Sequence, residues 1–529
     1  MKAKASWNDI AGILLMAAGI LMLGVSVFLC FSNDIWYDEL FTMGLAGQPL
    51  RELIEITAKD VHPPFYYMIV KLFLEIGNGL NSSADQVVIA KLVSVLPFFL
   101  CFIYGLTRIR KNFGIFSAGL YVFSLLAMPQ MGDYTVEVRM YGYALFFITA
   151  AMIHAYELTG SLKENRRAFH WVALTLYSIG ACYTHYFACV AACMIYGYLF
   201  VEACVSHQVR GRLKPFLASG LMCTVSFLPW LITVVASQVG AVKENYWIMP
   251  LSVRTLGGCV KFLFRPALGN EFLGDGVAVF LFLFYVTIFV LYLCWCIRQG
   301  NEKDRRKLCF CAGCIGVLVG IVAFGFIASL LVRPIFVYRY MLPALGLFWL
   351  AFSIMFSEVW HGLFSRIRMG KILCVALLLA VFVTGVRNYR SFYGEEMWKR
   401  VQMEKTRESI VQIGQEDLLL FNFGQVQGVI SYYLDNDSWL WYEKPEDLIC
   451  RMYSQNHSLV EGEFEDKAGM EKIRELVESG RRVWFLGSGE AREEIIQKWK
   501  EEGIQAELVS EALLERYWFN IYQMTLSDQ

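Results

Sequence analysis

Ile10–Phe31 reads IAGILLMAAGILMLGVSVFLCF, and SNDIWYDE follows it at 32–39. The run carries no charge, and a membrane crossing takes about 20 predominantly apolar residues. It is therefore expected to be a transmembrane helix with Trp36-Tyr37-Asp38-Glu39 just beyond its end. Lys2 and Lys4 precede it as they would precede a secretory signal. The apolar run is too long for a signal, however, and Ser-Asn-Asp is no small-residue cleavage site, so the segment reads as an uncleaved first span.

The same reading repeats along the chain. With 57% hydrophobic and 18% charged residues, the composition departs from the roughly half apolar, quarter charged soluble norm toward membrane. Eleven spans are expected: 10–31, 86–107, 113–130, 139–158, 168–183, 186–205, 214–236, 276–297, 308–332, 337–357 and 371–386. Basic clusters occupy every second loop: Arg108/Arg110/Lys111, Lys163/Arg166/Arg167, Arg210/Arg212/Lys214, Lys303/Arg305/Arg306/Lys307 and Arg366/Arg368/Lys371. The positive-inside rule puts these loops and the N-terminus in the cytoplasm, and the odd number of spans puts the tail outside. Pro64–Gly77 is apolar but reaches only about 21 Å as a helix, short of the ~30 Å hydrocarbon core. It is expected to lie at the interface or to re-enter from outside. Leu50, Leu53 and Ile54 recur at helical spacing beside charges, which suits membrane-surface helices over 38–57.

Net charge is zero, which removes any bulk electrostatic case for nucleic acid. Nearly all of the fifteen cysteines lie in apolar runs, where they act as small hydrophobes. Cys309, Cys311 and Cys314 have no histidine or carboxylate beside them and read as helix packing. The tail holds only Cys450, so it has no internal disulfide. No repeat or low-complexity segment is present.

The expected domains are a membrane part, 1–389, with an outer loop at 32–85, and a tail, 390–529. In the tail, strand-like Leu418–Phe423, helix-like Gln425–Leu434, helix Gly469–Gly480, strand Arg482–Gly487 and helix Glu490–Glu502 alternate. That pattern predicts a small extracytoplasmic α/β domain.

The outward loops carry the candidate chemistry. Asp38 and Glu39 open a surface helix, where Asp38 could simply be its cap and Glu39 a first-turn acid. Asp60-Val61-His62-Pro63-Pro64 holds Asp60 and His62 on a rigid entry to the short helix, because two prolines fix the backbone. Glu137-Val138-Arg139-Met140-Tyr141 fills the shortest outer loop, and Tyr338-Arg339-Tyr340-Met341-Leu342-Pro343 begins a late span. An arginine there could be an interfacial anchor. His185 stands alone between two spans and reads as structural. Together, however, acids, a histidine and arginines fall on one side of the membrane. Sugar transfer from a lipid phosphate needs such a set: a carboxylate to take the acceptor proton and cations for the departing phosphate.

WYDE, DVHPPFYYMIVK, EVRMY and YRYMLP resemble the GT-C type membrane glycosyltransferases, in particular the bacterial protein O-mannosyltransferase and aminoarabinose transferase family. YTHY at 183–186 and YWIMP at 246–250 also look like that family. The resemblance covers about residues 10–386. It implies a polytopic α-helical fold in the plasma membrane and inverting transfer from a polyprenyl-phosphate sugar to a glycan, lipid or protein acceptor. It further implies Asp38 as general base, with Glu39 shaping the acceptor site. Asp60, His62, Arg139, Tyr141 and Arg339 are then expected around the donor phosphate. Some GT-C enzymes use a divalent ion, for which Asp60, His62 and Glu137 are the candidate ligands.

The rival class is a transporter or flippase of a lipid-linked saccharide. Lys91, deep within a span, is its main support, but transporters commonly carry repeats and broken helices. A ligand-binding sensor would leave the acidic loop without a purpose.

Overall fold

The computed structural model describes residues 7–31, 34–235, 238, 248, 250–362, 368–440, 459–461 and 467–527. Most of YWIMP and Cys450 lie outside them. The described chain is a polytopic α-helical membrane protein with a small sheet domain near its C-terminus, and it forms two compact units.

The first unit comprises residues 1–28, 50–69 and 91–392. Each of the eleven expected spans falls on a helix: α1 (Trp7–Leu29), α5 (Gln86–Tyr104), α6 (Arg110–Ala127), α8 (Tyr141–Leu158), α9 (Glu164–Thr184), α10 (Tyr186–Val205), α11 (Val209–Trp230), α13 (Glu271–Gln299), α14 (Glu302–Leu331), α15 (Leu342–Gly362) and α16 (Arg368–Ile410). By length and composition, eight helical segments among the described residues could cross a membrane, with Gln86–Ala127 counted as one. That segment is not straight. Gly114 takes φ +89°, ψ 168° inside α6, a conformation that glycine adopts without a Cβ penalty. The chain folds back there, so that a side chain at Gly105 would strike Val122.

The shorter helices are α2 (Tyr37–Gly47), α3 (Leu50–Thr57), α4 (Phe65–Leu80), α7 (Asp133–Val136) and α12 (Val253–Phe264). The stretch expected to be helical is α2 and α3: Glu39 to Ala46 of α2 are buried within the protein, whereas in α3 Leu53 is buried and Leu50 and Ile54 are exposed. The short apolar stretch is α4, 16 residues long and so about 24 Å. In the first unit α15 is buried continuously from Leu342 to Ser357, and α8 is buried at every residue but Phe147. Glycine sets the approach of α1 to α6: a Cβ on Gly119 would lie 2.0 Å from the Gly12 carbonyl oxygen. Small residues permit such close backbone packing between membrane helices.

The second unit comprises residues 29–49, 70–90 and 393–529. Its six-stranded sheet has the order β3-β2-β1-β4-β6-β5. The strands are β1 (Leu418–Phe421), β2 (Ser438–Leu440), β3 (Leu459–Glu461), β4 (Val483–Gly487), β5 (Ile504–Leu514) and β6 (Tyr517–Leu526). β3, β2, β1 and β4 run parallel, while β6 is antiparallel to both β4 and β5. The uninterrupted apolar runs of β1 and β4 fit central strands covered on both faces. Three helices flank them: α17 (Gly424–Tyr433), α18 (Lys467–Glu478) and α19 (Ala491–Glu501). The Phe485 and Trp499 rings meet edge-on at 4.7 Å in the core.

Candidate functional site

Asp60 and His62 occupy the loop between α3 and α4. The ring Nδ1 of His62 lies 3.2 Å from Asp60 Oδ2. Burial works against the charged Asp60 carboxylate, but the bond to His62 and nearby Arg139 together hold it below the usual carboxylate range. Burial lowers His62 too, as do Arg139 and Arg339, against the opposing pull of Asp60. We assign an ionised Asp60 accepting from the Nδ1–H of a neutral His62, which leaves Nε2 of His62 with a lone pair.

Arg139 comes from the turn between α7 and α8, which is closed by a 2.8 Å bond from its N–H to the Glu137 carbonyl. Both Arg139 and Glu137 are buried. Tyr141, also buried, opens α8, and the Arg339 guanidinium lies 5.9 Å from its ring centre. Arg339 itself is on the single 3₁₀ turn Tyr338–Met341 that leads into α15.

His185 corrects the expectation of an isolated residue. It sits in extended backbone between α9 and α10, and its Nδ1 accepts from the Phe187 N–H at 3.1 Å. Its ring lies 5.7 Å from His62, 5.6 Å from Tyr141 and 5.1 Å from Tyr340. Burial first, then His62 and the two arginines, push its pKa well below the ordinary value. A neutral ring with an accepting Nδ1 carries its proton on Nε2, so His185 is a donor. The helix break that turns it inward lies in YTHY, so a signal was present although its meaning was not.

A buried relay supports the loop from behind. Trp230 Nε1 donates to the Tyr186 hydroxyl at 3.0 Å, which donates to Gln238 Oε1 at 2.6 Å. Gln238 Nε2 in turn donates to the Thr57 and Ala58 carbonyls at 3.1 and 3.3 Å. No motif in the sequence marked Gln238 or Trp230.

The structure thus brings Asp60, His62, Arg139, Tyr141 and Arg339 together in the first unit and adds His185 and Tyr340. Two arginines and two neutral imidazoles, beside the ionised Asp60, form a hydrogen-bonding cluster whose guanidiniums suit a phosphate. Among the described residues, no group of three His, Cys, Asp or Glu side chains could hold a metal ion. Asp60 and His62 are engaged with each other.

Asp38 and Glu39 belong to the second unit. The cap of α2 corrects the expectation for Asp38: Glu39, not Asp38, closes the helix, with its Oε2 accepting from the Trp36 N–H at 3.0 Å. Glu39 is buried and Asp38 half-buried. Burial and the charges of Asp38 and Glu39 raise the pKa of Tyr517, from β6.

No family model and no curated protein matches the chain by sequence. Its fold, in contrast, is that of ArnT. The crystal structure of ArnT from Cupriavidus metallidurans in the apo state matches at 12% identity and TM-score 0.57, covering 97% of each chain. ArnT from the same organism bound to undecaprenyl phosphate matches at 12% identity and TM-score 0.57, covering 98% of this chain and 99% of that one. The oligosaccharyltransferase of Archaeoglobus fulgidus, in complex with Zn and sulfate, is more distant, at TM-score 0.40 and 12% identity over 79% of this chain and 61% of that one.

Proposed function

We propose that this chain, which has the ArnT fold, is a plasma-membrane glycosyltransferase. It moves a sugar from a polyprenyl-phosphate donor to an acceptor hydroxyl on the extracytoplasmic side in an inverting, single-displacement step. The observation that carries this reading is the convergence of Arg139, Arg339, His62 and His185 in the first unit. Charge-assisted contacts from arginine stabilise the phosphate as the glycosidic bond breaks. The undecaprenyl phosphate bound to ArnT supports a lipid phosphate as the donor's carrier.

In this reaction Asp38 takes the acceptor proton while the hydroxyl oxygen attacks the anomeric carbon, and the lipid phosphate leaves with the bonding electron pair. Glu39 keeps Asp38 in register through the helix cap and lines the acceptor side. Asp60 orients His62, whose role is to shape the phosphate pocket. The alternating basic loops support a cytoplasmic N-terminus, with the site and the tail outside.

Binding of undecaprenyl phosphate to the purified full chain tests the donor assignment. Arg139→Ala and Arg339→Ala should each weaken it by about 1.5–3 kcal/mol, roughly one to two decades. Unchanged affinity in both variants would return the arginines to interfacial anchoring.

A further inference from the structure

A second polar cluster occupies the opposite ends of the helices that build the phosphate pocket. Glu157 lies about 24 Å along α8 from Tyr141, and His170 about 22 Å along α9 from His185, at 1.5 Å per residue. There Arg108, Lys111, Arg166, Glu157 and His170 line a cavity of about 420 Å³. A second cavity of about 450 Å³ shares Arg108 and Phe169 with it and is otherwise walled by residues such as Thr107, Val172, Ala173 and Leu176.

A chain of buried and half-buried polar groups joins the two. His170 and His154 face each other through their Nδ1 atoms at 2.7 Å, His154 Nε2 meets the Tyr104 hydroxyl at 3.0 Å, and Tyr104 donates to Tyr177 at 2.9 Å. Glu157 accepts from Asn112 at 2.9 Å and stands 3.7 Å from Arg108. Both histidines are buried, while Val172 and Leu176 are 57% and 62% exposed on an apolar face.

Basic residues at a membrane interface are common, but interfacial anchoring requires neither a concave site that gathers them nor a buried histidine pair. Three cations against one carboxylate leave the polar cavity with two positive charges in excess. A phosphomonoester carries about −1.5 to −2 at neutral pH, which complements that excess better than a phosphodiester with a single charge. The adjoining groove presents the exposed apolar side chains of Val172 and Leu176, which suit a hydrocarbon chain.

We propose that the paired cavities bind a lipid phosphomonoester, with its phosphate among Arg108, Lys111 and Arg166 and its chain along Val172 and Leu176. The site is separate from the phosphate pocket at the other ends of α8 and α9 and does not rest on the catalytic reading. Under that reading, the lipid phosphate released by sugar transfer has the same chemistry.

The test uses the full chain in detergent with Arg139→Ala and Arg339→Ala in place, so that the other pocket does not contribute. Dioleoyl phosphatidate, dioleoyl phosphatidylcholine and inorganic phosphate are the probes, and native mass spectrometry reads occupancy. Phosphatidate should bind at least tenfold more tightly than phosphatidylcholine, and equimolar inorganic phosphate should not displace it. Lys111 and Arg166 are exposed, so Lys111→Ala/Arg166→Ala should keep the wild-type melting temperature while losing tenfold or more in phosphatidate affinity. Leu176→Trp should cause a similar loss by filling the groove. Undiminished phosphatidate binding in the Lys111→Ala/Arg166→Ala variant overturns the site. Equal binding of phosphatidylcholine overturns the phosphomonoester assignment. Displacement by equimolar inorganic phosphate, with Leu176→Trp neutral, overturns the lipid and leaves a free-anion site.

Discussion

The guanidinium of Arg516 lies 3.9 Å from the ring centre of Trp36, two positions before Asp38. It is one of several ties within the second unit that hold the acidic segment to residues far along the chain. Arg407 pairs with Asp34, the Tyr433 hydroxyl accepts from the Ile35 N–H at 3.4 Å, and Tyr517 is close enough to feel the charges of Asp38 and Glu39. The C-terminal residues thereby order the segment that carries the proposed base. A cation–π contact contributes about 0.5–2 kcal/mol, so Arg516→Ala should raise amide exchange over 34–39 by about two- to thirtyfold and lower turnover more than donor affinity. Unchanged exchange over that segment would show that Arg516 does not order it.

Asp38→Asn should abolish transfer while the chain folds and binds donor normally. Because Glu39 supplies the cap, asparagine at 38 leaves the start of α2 undisturbed. General-base assistance is typically worth 10²–10⁴ in rate, well beyond any packing change expected of so small a substitution. Glu39→Gln keeps an accepting oxygen for the Trp36 N–H and should be the milder lesion. Full turnover by Asp38→Asn, measured with a polyprenyl-phosphate sugar and the matching acceptor, would remove Asp38 from the base role.

Acid should destabilise the first unit. His62 and His185 both have pKa values below the ordinary 6.5, so on falling pH the unfolded chain binds protons that the folded chain refuses. Their contribution is intact above about pH 6.5 and declines as pH drops through that value, by at most about 1.4 kcal/mol per histidine per pH unit. The melting temperature should therefore fall between pH 7.5 and pH 5.5, and His185→Gln should flatten the dependence. An identical slope in the variant would count against a buried, neutral His185.

Gly119→Leu should loosen the packing of α1 on α6, because its Cβ would meet backbone at the Gly12 carbonyl rather than a movable side chain. Overpacking of this kind costs about 1–3 kcal/mol. Gly24→Ala is the control, since nothing lies within 4 Å of a Cβ there. Equal melting temperatures for the two variants would contradict the close approach.

The hairpin of β5 and β6 shows where local reading ends. Its strands alternate well enough, but the turn uses Glu515 at φ +52° in place of the glycine, asparagine or aspartate that usually marks such a reversal. The three-residue strands β2 and β3 are too short to announce themselves. By contrast, β1, β4 and the helices around them were legible, because unbroken apolar runs and helical spacing are local properties.

The sequence by itself determined the membrane helices, the short apolar α4, the rigid D-x-H-P-P loop and the α/β character of the tail. Apolar run length, proline geometry and periodicity act within one segment and leave their record there. Only the tertiary structure decided that His185 meets His62, Tyr141 and Tyr340, that Glu39 rather than Asp38 caps α2, and that Asp34 pairs with Arg407, 373 residues away. The side-chain contacts of His185 and Asp34 join segments remote in sequence, and the choice between adjacent acids rests on which carboxylate the backbone turns toward the Trp36 N–H. Neither kind of relationship leaves a periodic pattern along the chain.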